Sequence, residues 1–541
     1  MRATTRPILA AFLTVLTAVT TVATPAHATR GGGPTWKACA EDGTAQCATL
    51  KVPVDWADPY GPSIAIALAR RPADDPKTRL GTLVVNPGGP GGSGVDFAVD
   101  SAYFFSPAIR KRFDIVGFDP RGVARSNPIV CATDLVATAP TAAIASAQAY
   151  AAAVAYNRKL AADCAKRTGA LYGHVDTLSV VQDMEALRAA LGEEQISFYG
   201  ASYGTLLGAQ YAERYPRRVR ALVLDSVMDH SGDTADFLGA ETDTAQAAFD
   251  QFVAWCAGSG ECALHGRDVR GLWAGLRASA RRGTLFDPFD PSYRLSEFDL
   301  VGAAFGSFYD PQWHSLAIFI KEASALAEGR SVLAEGRSVL AEGTSVLAEE
   351  ASALAEEASV GWAAERPRAV AAAARSRAVA DDVSEHNFPA VFCDDWSLPV
   401  AGYAGLRDHL TGLARRHPQM PFSPLALSAL VGCLGWERPT DNPQRALAPA
   451  RTGPVLLVNA RYDPATPYAW ARNVAAQLGP AASLLTYQGW GHTVYGRSDC
   501  VTAIIDRYLL AIRPPPAGAS CPAVAPEPAG VGGVGRHRRY R

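Results

Sequence analysis

One pentapeptide constrains this chain more than any other feature. Gly200-Ala201-Ser202-Tyr203-Gly204 is a G-x-S-x-G motif, with a β-branched and aromatic run before it (195–199, QISFY) and a helical pattern after it (204–215). A serine on a sharp turn between strand and helix stands above the edge of a sheet, its hydroxyl presented at the start of the helix. The glycines are needed because that turn is tight and neighbouring chain passes close to it. The motif makes Ser202 the expected nucleophile.

The rest of the chain supplies the sheet such a turn requires. Short apolar runs at 82–86 (TLVVN), 113–118 (FDIVGF) and 220–224 read as further strands. Residues 177–191 read as an amphipathic helix, with Val180, Met184, Leu187 and Leu191 at helical spacing. Strands alternating with helices predict an α/β fold with a mostly parallel central sheet and helices on both faces. The rhythm stops near residue 229, gives way to a largely helical pattern, and resumes with 454–459 (PVLLVN), a helix at 469–478, a strand at 483–487 (SLLTY) and a helix at 500–512.

The expected organisation is a first part of the core over 29–228, a large helical cap over 229–447 inserted after the fourth of these strands, and a second part of the core over 448–521. Within the cap, SVLAEGR recurs with a period of seven over 324–360. Its Val-Leu-Ala clusters make a poor coiled-coil seam, so the repeat reads as a duplicated stretch that lengthens a helix. The Pro- and Gly-rich tail over 522–541 reads as disordered.

The first residues read as an export address. Arg2 and Arg6 precede an apolar run over 8–19, and Ala26-His27-Ala28 follows as a small-x-small cleavage pattern. The run is too short to span a bilayer, which takes about 20 apolar residues. The expectation is a signal peptide over 1–28 and a secreted, extracellular protein with no membrane association after cleavage. A net charge of −2 gives no reason to expect a nucleic-acid partner. Ten cysteines in an exported chain predict disulfides. Successive neighbours are the expected pairs (39–47, 131–164, 256–262, 393–433, 500–521), although spacing does not fix connectivity. No CxxC or HExxH motif suggests a metal, and no cofactor is expected.

A serine nucleophile needs a base, and the base needs a group to orient it. In this fold the chain order is Ser, acid, His, with the acid closing a strand and the His in a loop after the last strand. Asp463 follows the 454–459 run and His492 follows the 483–487 run. Asp225, at the end of LVLD, is the rival acid. An oxyanion needs preorganised N–H donors. Tyr203, the residue after the nucleophile, offers one, and the loop from Asn86 to Gly94 after an early strand offers the other. Gly89, Gly91 and Gly94 in that loop also spell a dinucleotide-binding G-x-G-x-x-G. An exported chain has little access to NAD, and that reading leaves Ser202, Asp463 and His492 unexplained. Asp119 and Arg121, closing the 113–118 strand, read as a structural pair that shapes a loop beside the site.

Together, PGGPGGSG (87–94), GFDPRGVARS (117–126), YGASYGT (199–205), ARYDPATP (460–467) and GWGHTVY (489–495) resemble the secreted tripeptidyl aminopeptidases of actinobacteria. These are relatives of prolyl aminopeptidase within the α/β-hydrolase fold. The resemblance runs from about residue 36 to 521. It implies hydrolysis of peptide substrates near a free amino terminus. It also implies Ser202, Asp463 and His492 as a catalytic triad, and Gly89 and Tyr203 as oxyanion donors. Prolyl aminopeptidases carry His-Gly-Gly-Pro-Gly where this chain has Pro87-Gly88-Gly89-Pro90-Gly91. An exopeptidase must also hold the substrate ammonium. In the cap, Asp394 and Asp395 lie between Cys393 and Trp396 and are the expected amine-binding acids. The alternatives are a secreted esterase or lipase of the same fold, since a triad does not distinguish amide from ester, and a non-catalytic binding protein on a hydrolase fold.

Overall fold

All six apolar runs form strands, because a strand covered on both faces is apolar at every position. The computed structural model describes residues 33–40, 42–328, 382–448 and 452–526. The expected signal segment, the repeat beyond residue 328 and the tail beyond residue 526 lie outside the described residues.

In chain order the strands are β1 (Lys37–Ala38), β2 (Gln46–Pro53), β3 (Ser63–Arg71), β4 (Gly81–Asn86), β5 (Phe113–Phe118), β6 (Val130–Ala132), β7 (Ile196–Ala201), β8 (Val219–Asp225), β9 (Val383–Glu385), β10 (Val455–Tyr462), β11 (Ala482–Trp490) and β12 (Ser520–Cys521). Ten of them make one sheet in the order β1-β2-β3-β5-β4-β7-β8-β10-β11-β12. From β5 to β12 the neighbours run parallel. The β1–β2, β2–β3 and β3–β5 pairs at one edge are antiparallel.

Alternate residues of each strand serve opposite faces. Val84, Phe198, Leu222, Leu224 and Leu457 pack against α5 (Thr177–Ala190), α6 (Gly204–Arg214) and α14 (Tyr468–Leu478), through Val180, Met184, Leu187, Leu206 and Val474. Their strand neighbours Leu83, Val85, Val223 and Val458 face the other way. They meet α1 (Gly94–Phe104), α2 (Pro107–Arg112) and α15 (Asp499–Ala511) through Phe97, Ile109, Val501 and Ile505. Each such side chain contributes about 1.5–3 kcal/mol when fully buried. A one-residue slip of any central strand would exchange the two faces.

Between β8 and β10 the described chain is mainly helical: α7 (Thr234–Gly258), α8 (Val269–Arg281), α9 (Glu297–Tyr309), α10 (Trp313–Ala327), α11 (Phe388–Asp395), α12 (Gly402–Arg416) and α13 (Pro424–Gly432). Helices α7 to α10 share a core of their own, built around Phe249, Phe252, Trp273, Phe305, Phe308 and Trp313. An excursion between β5 and α5 joins this insertion. It contains β6, α3 (Thr133–Val136) and α4 (Ala147–Thr168). Strand β6 pairs antiparallel with β9, and Asn157 Nδ2 donates to the carbonyls of Val431 (2.7 Å) and Leu434 (2.9 Å).

All ten cysteines are bridged, each to its neighbour in sequence: 39–47, 131–164, 256–262, 393–433 and 500–521. No helix among the described residues is long and apolar enough to cross a membrane.

The expected Asp119–Arg121 pair does not form. Residues two apart are directed differently where the chain leaves a strand into a loop. Asp119 turns to the Ser93 hydroxyl (2.5 Å) and the backbone N–H groups of Val95 and Arg125 (both 3.1 Å). Arg121 is fully buried with Asp183 (2.6 and 2.7 Å) and donates to the carbonyls of Pro53, Val54 and His174. That guanidinium ties β2 to α5 beneath the sheet edge, a structural role of a different kind.

Candidate active site

Ser202 sits where β7 turns into α6, with φ of 54°. A non-glycine residue in the left-handed region persists only when its surroundings fix it. Here the Ser202 N–H donates to the Asp225 carbonyl (2.9 Å), and its own carbonyl accepts from the Thr205 N–H (2.9 Å) and hydroxyl (2.6 Å). The flanking glycines are required by close approach. A Cβ at Gly200 would lie 2.4 Å from the Gly204 carbonyl oxygen, and one at Gly204 would lie 2.6 Å from Asn86 Oδ1.

The glycine-rich loop after β4 passes directly over this turn. A Cβ on Gly88 would lie 2.8 Å from the Tyr203 nitrogen and 2.9 Å from Ser202 Cβ. The loop is held by its own bonds: Gly88 N–H to Asn86 Oδ1 (3.0 Å) and Gly92 N–H to the Gly88 carbonyl (2.9 Å). The Gly89 N–H takes part in neither. From the insertion, Asn387 presses on the same loop, since a Cβ at Gly91 would meet its Oδ1 at 2.1 Å.

Asp463 lies in the loop after β10 and His492 in the loop after β11. His492 Nδ1 is 2.9 Å from Asp463 Oδ1 and 3.1 Å from Oδ2. The carboxylate also accepts from the N–H groups of Ala465 and Thr466 (both 2.9 Å), the Thr466 hydroxyl (2.9 Å) and the Ser226 hydroxyl (2.7 Å). Complete burial alone would push this acid up. The His492 imidazole and these hydrogen bonds outweigh burial and hold it below its ordinary value. Ser226 and Thr466 carry no motif of their own. Their signal is position, one at a strand end and the other three residues beyond an aspartate, where a side-chain or backbone cap forms.

Asp225 is occupied elsewhere. It accepts from the Tyr199 hydroxyl (2.7 Å) and the N–H groups of Val494 and Tyr495 (both 2.9 Å), and burial raises it. It braces the His492 loop from behind while its backbone braces Ser202.

The insertion touches both loops. Thr244 of α7 donates to the Asp463 carbonyl (2.6 Å). The carbonyl of Tyr309, the last residue of α9, accepts from the His492 N–H (2.8 Å), and the Tyr309 ring lies 4.9 Å from the imidazole.

Asp394 and Asp395 are both fully buried in α11. Asp395 Oδ1 accepts from the Thr177 N–H (2.9 Å) and Asn442 Nδ2 (2.8 Å), and Oδ2 from the hydroxyls of Thr177 and Tyr203 (both 2.6 Å). Burial pushes it up to about 7. With both oxygens accepting from protein donors, it braces the elbow through Tyr203. Asp394 is pushed up to about 8 by burial, against the opposing charge of Arg438 at 4.0 Å. The two acids expected to bind the amine therefore differ: Asp395 is engaged by protein donors, whereas neither oxygen of the equally buried Asp394 has a hydrogen-bond partner among the described residues.

Residues 81–295 match a family model described as α/β hydrolase fold, and residues 418–521 match one described as TAP-like protein. Tripeptidyl aminopeptidase of Streptomyces lividans is 30% identical over 532 residues, covering 92% of this chain and 88% of the relative. Serine protease Hip1 of Mycobacterium tuberculosis is 29% identical over 505 residues, with 88% of each chain covered. Carboxylesterase B of the same organism is 32% identical over 513 residues, covering 90% of this chain and 89% of the relative.

Proposed function

This chain belongs to the tripeptidyl aminopeptidase family of α/β hydrolases, and from that premise we propose that it is an exported serine exopeptidase with Ser202 as nucleophile, His492 as base and Asp463 as the orienting acid. The observation that carries the reading is the 2.9 Å contact between Asp463 and His492 Nδ1, made by a buried carboxylate held in its charged form. An ionised partner at Nδ1 keeps the proton there and leaves Nε2 as the acceptor.

In the first half-reaction His492 Nε2 removes the Ser202 Oγ proton as Oγ attacks the scissile carbonyl. The N–H groups of Gly89 and Tyr203 receive the oxyanion, where each donor is worth about 10²–10³ in rate. Collapse of the intermediate passes the proton from His492 to the leaving amine and leaves an acyl-Ser202 ester. Water, deprotonated by the same imidazole, hydrolyses that ester. Export is supported by the leader pattern over 1–28 and by five disulfides, which persist in oxidising compartments.

The esterase reading is favoured by one observation, the 32% identical carboxylesterase B. A fluorophosphonate probe followed by peptide mapping tests the shared part of both readings. Labelling confined to Ser202, and lost in Ser202→Ala, is the expected result. Labelling elsewhere, or turnover retained by Ser202→Ala, would overturn the assignment.

A further inference from the structure

The backbone around His492 is bent out of the ordinary regions on both sides. Gly491 has φ of 96° and Thr493 has φ of 56°. A threonine in that region costs on the order of 1–3 kcal/mol and persists only where its surroundings over-determine it. The Thr493 N–H is held by the Ser226 hydroxyl (2.8 Å). The carbonyl side of the bend is held by Arg497.

This guanidinium makes four contacts. Its Nε donates to the Thr493 carbonyl (2.5 Å), and its Nη2 donates to the carbonyls of His492 (2.7 Å) and Tyr309 (2.9 Å). Its Nη1 pairs with Asp310 Oδ1 (3.0 Å). Two of the four acceptors belong to the His492 loop. The other two lie at the C-terminus of α9, where backbone carbonyls are left without helical partners and carry the negative end of the dipole. The Arg497 side chain is only 15% exposed. Its seat also explains the glycine before His492, since a Cβ on Gly491 would lie 2.7 Å from the guanidinium carbon.

We propose that Arg497 is a positioning residue, and that through it the helical insertion sets the orientation of His492. The proposal rests on the reading of His492 as the base. It makes the C-terminus of α9 a fixed part of the catalytic scaffold. The His492 N–H and the Arg497 guanidinium share one acceptor, the Tyr309 carbonyl, so α9 does not move away without releasing the loop. A rigid five-donor fork suits three carbonyls and a carboxylate; a lysine ammonium reaches only some of them.

The test compares wild type, Arg497→Met, Arg497→Lys, Asp310→Asn and Ser202→Ala on a free-amine tripeptide p-nitroanilide. Values of kcat and KM are determined separately, active sites are counted by fluorophosphonate titration, and folding is followed by circular dichroism melting. Arg497→Met is expected to lower kcat per titrated site by about 30–100-fold, the scale of a small misplacement of a catalytic group, with KM within about two-fold of wild type. Arg497→Lys is expected to recover about 3–10-fold of that loss, and Asp310→Asn to lose about 2–5-fold. A wild-type kcat in folded Arg497→Met, or a loss expressed in KM alone, would overturn the proposal. If Arg497→Met does not fold, wild-type kcat in both Arg497→Lys and Asp310→Asn overturns it equally. Activity retained by Ser202→Ala would instead overturn the hydrolase reading beneath it.

Discussion

The Tyr203 hydroxyl donates to the Asp395 carboxylate at 2.6 Å, so the residue that follows Ser202 is anchored by its side chain to α11 of the insertion. That anchor fixes the position of its backbone N–H, which we propose as an oxyanion donor. Replacing one acceptor oxygen by an amide NH2, in Asp395→Asn, leaves Thr177, Tyr203 and Asn442 competing for a single acceptor and costs about 1–3 kcal/mol of stability. The expected signature is a lower melting temperature, with kcat/KM for a free-amine peptide and for a small neutral ester changing in the same proportion. A peptide-specific loss of ten-fold or more, with the ester untouched, would instead make Asp395 an amine-binding acid.

The two candidate acids separate cleanly by mutation. Asp463→Asn keeps the shape of the loop but offers His492 Nδ1 an amide in place of a carboxylate. That change is expected to lower kcat by about 10³–10⁴-fold. Asp225→Asn disturbs bonds from Tyr199, Val494 and Tyr495 and is expected to act mainly on melting temperature. Steady-state kinetics on both variants checks this, and a larger kcat loss in Asp225→Asn than in Asp463→Asn would reverse the assignment.

Stability is expected to fall as pH rises from 6 to 9. Glu241 of α7, fully buried and hydrogen-bonded to the Ser423 hydroxyl (2.8 Å), is pushed by burial from 4.5 to about 8. A carboxyl whose folded pKa is raised contributes stability that is full below its unfolded value and is lost as pH passes its folded value. Asp394 and Asp395 act in the same sense. Asp463 is lowered, so its contribution is lost only under acid, below the ordinary carboxylate range. Melting temperatures across pH 6–9 are expected to decline in wild type and to decline less in Glu241→Gln. Identical slopes in the two proteins would contradict the role given to Glu241.

Six of the seven parallel strands were legible because burial on both faces writes itself as unbroken apolar runs such as TLVVN and PVLLVN; β12, two residues long, was not. Strands β2 and β3 were not, because they lie towards an antiparallel edge and mix Lys51, Arg70 and Arg71 with alanines. The places of Ser202, Asp463 and His492 in the fold were legible from chain order, since each follows a strand of one sheet. The direction of a side chain is not written in that order. Asp394 and Asp395 stand beside a cysteine and a tryptophan, and nothing in that neighbourhood tells that Asp395 accepts from Thr177 while Asp394 has no hydrogen-bond partner among the described residues. Arg497 and Tyr309 meet through backbone carbonyls across 188 residues, a contact that leaves no period and no motif.

The requirement for a free amino terminus is what separates an exopeptidase from an esterase on the same scaffold. It is measured most directly as kcat/KM for one tripeptide p-nitroanilide with its amino group free and again with that group acetylated. The free form is expected to be cleaved about 10–100-fold faster, the value of one charge-assisted contact to the substrate ammonium. Equal rates on the two forms, with rapid cleavage of short-chain esters, would contradict the exopeptidase assignment.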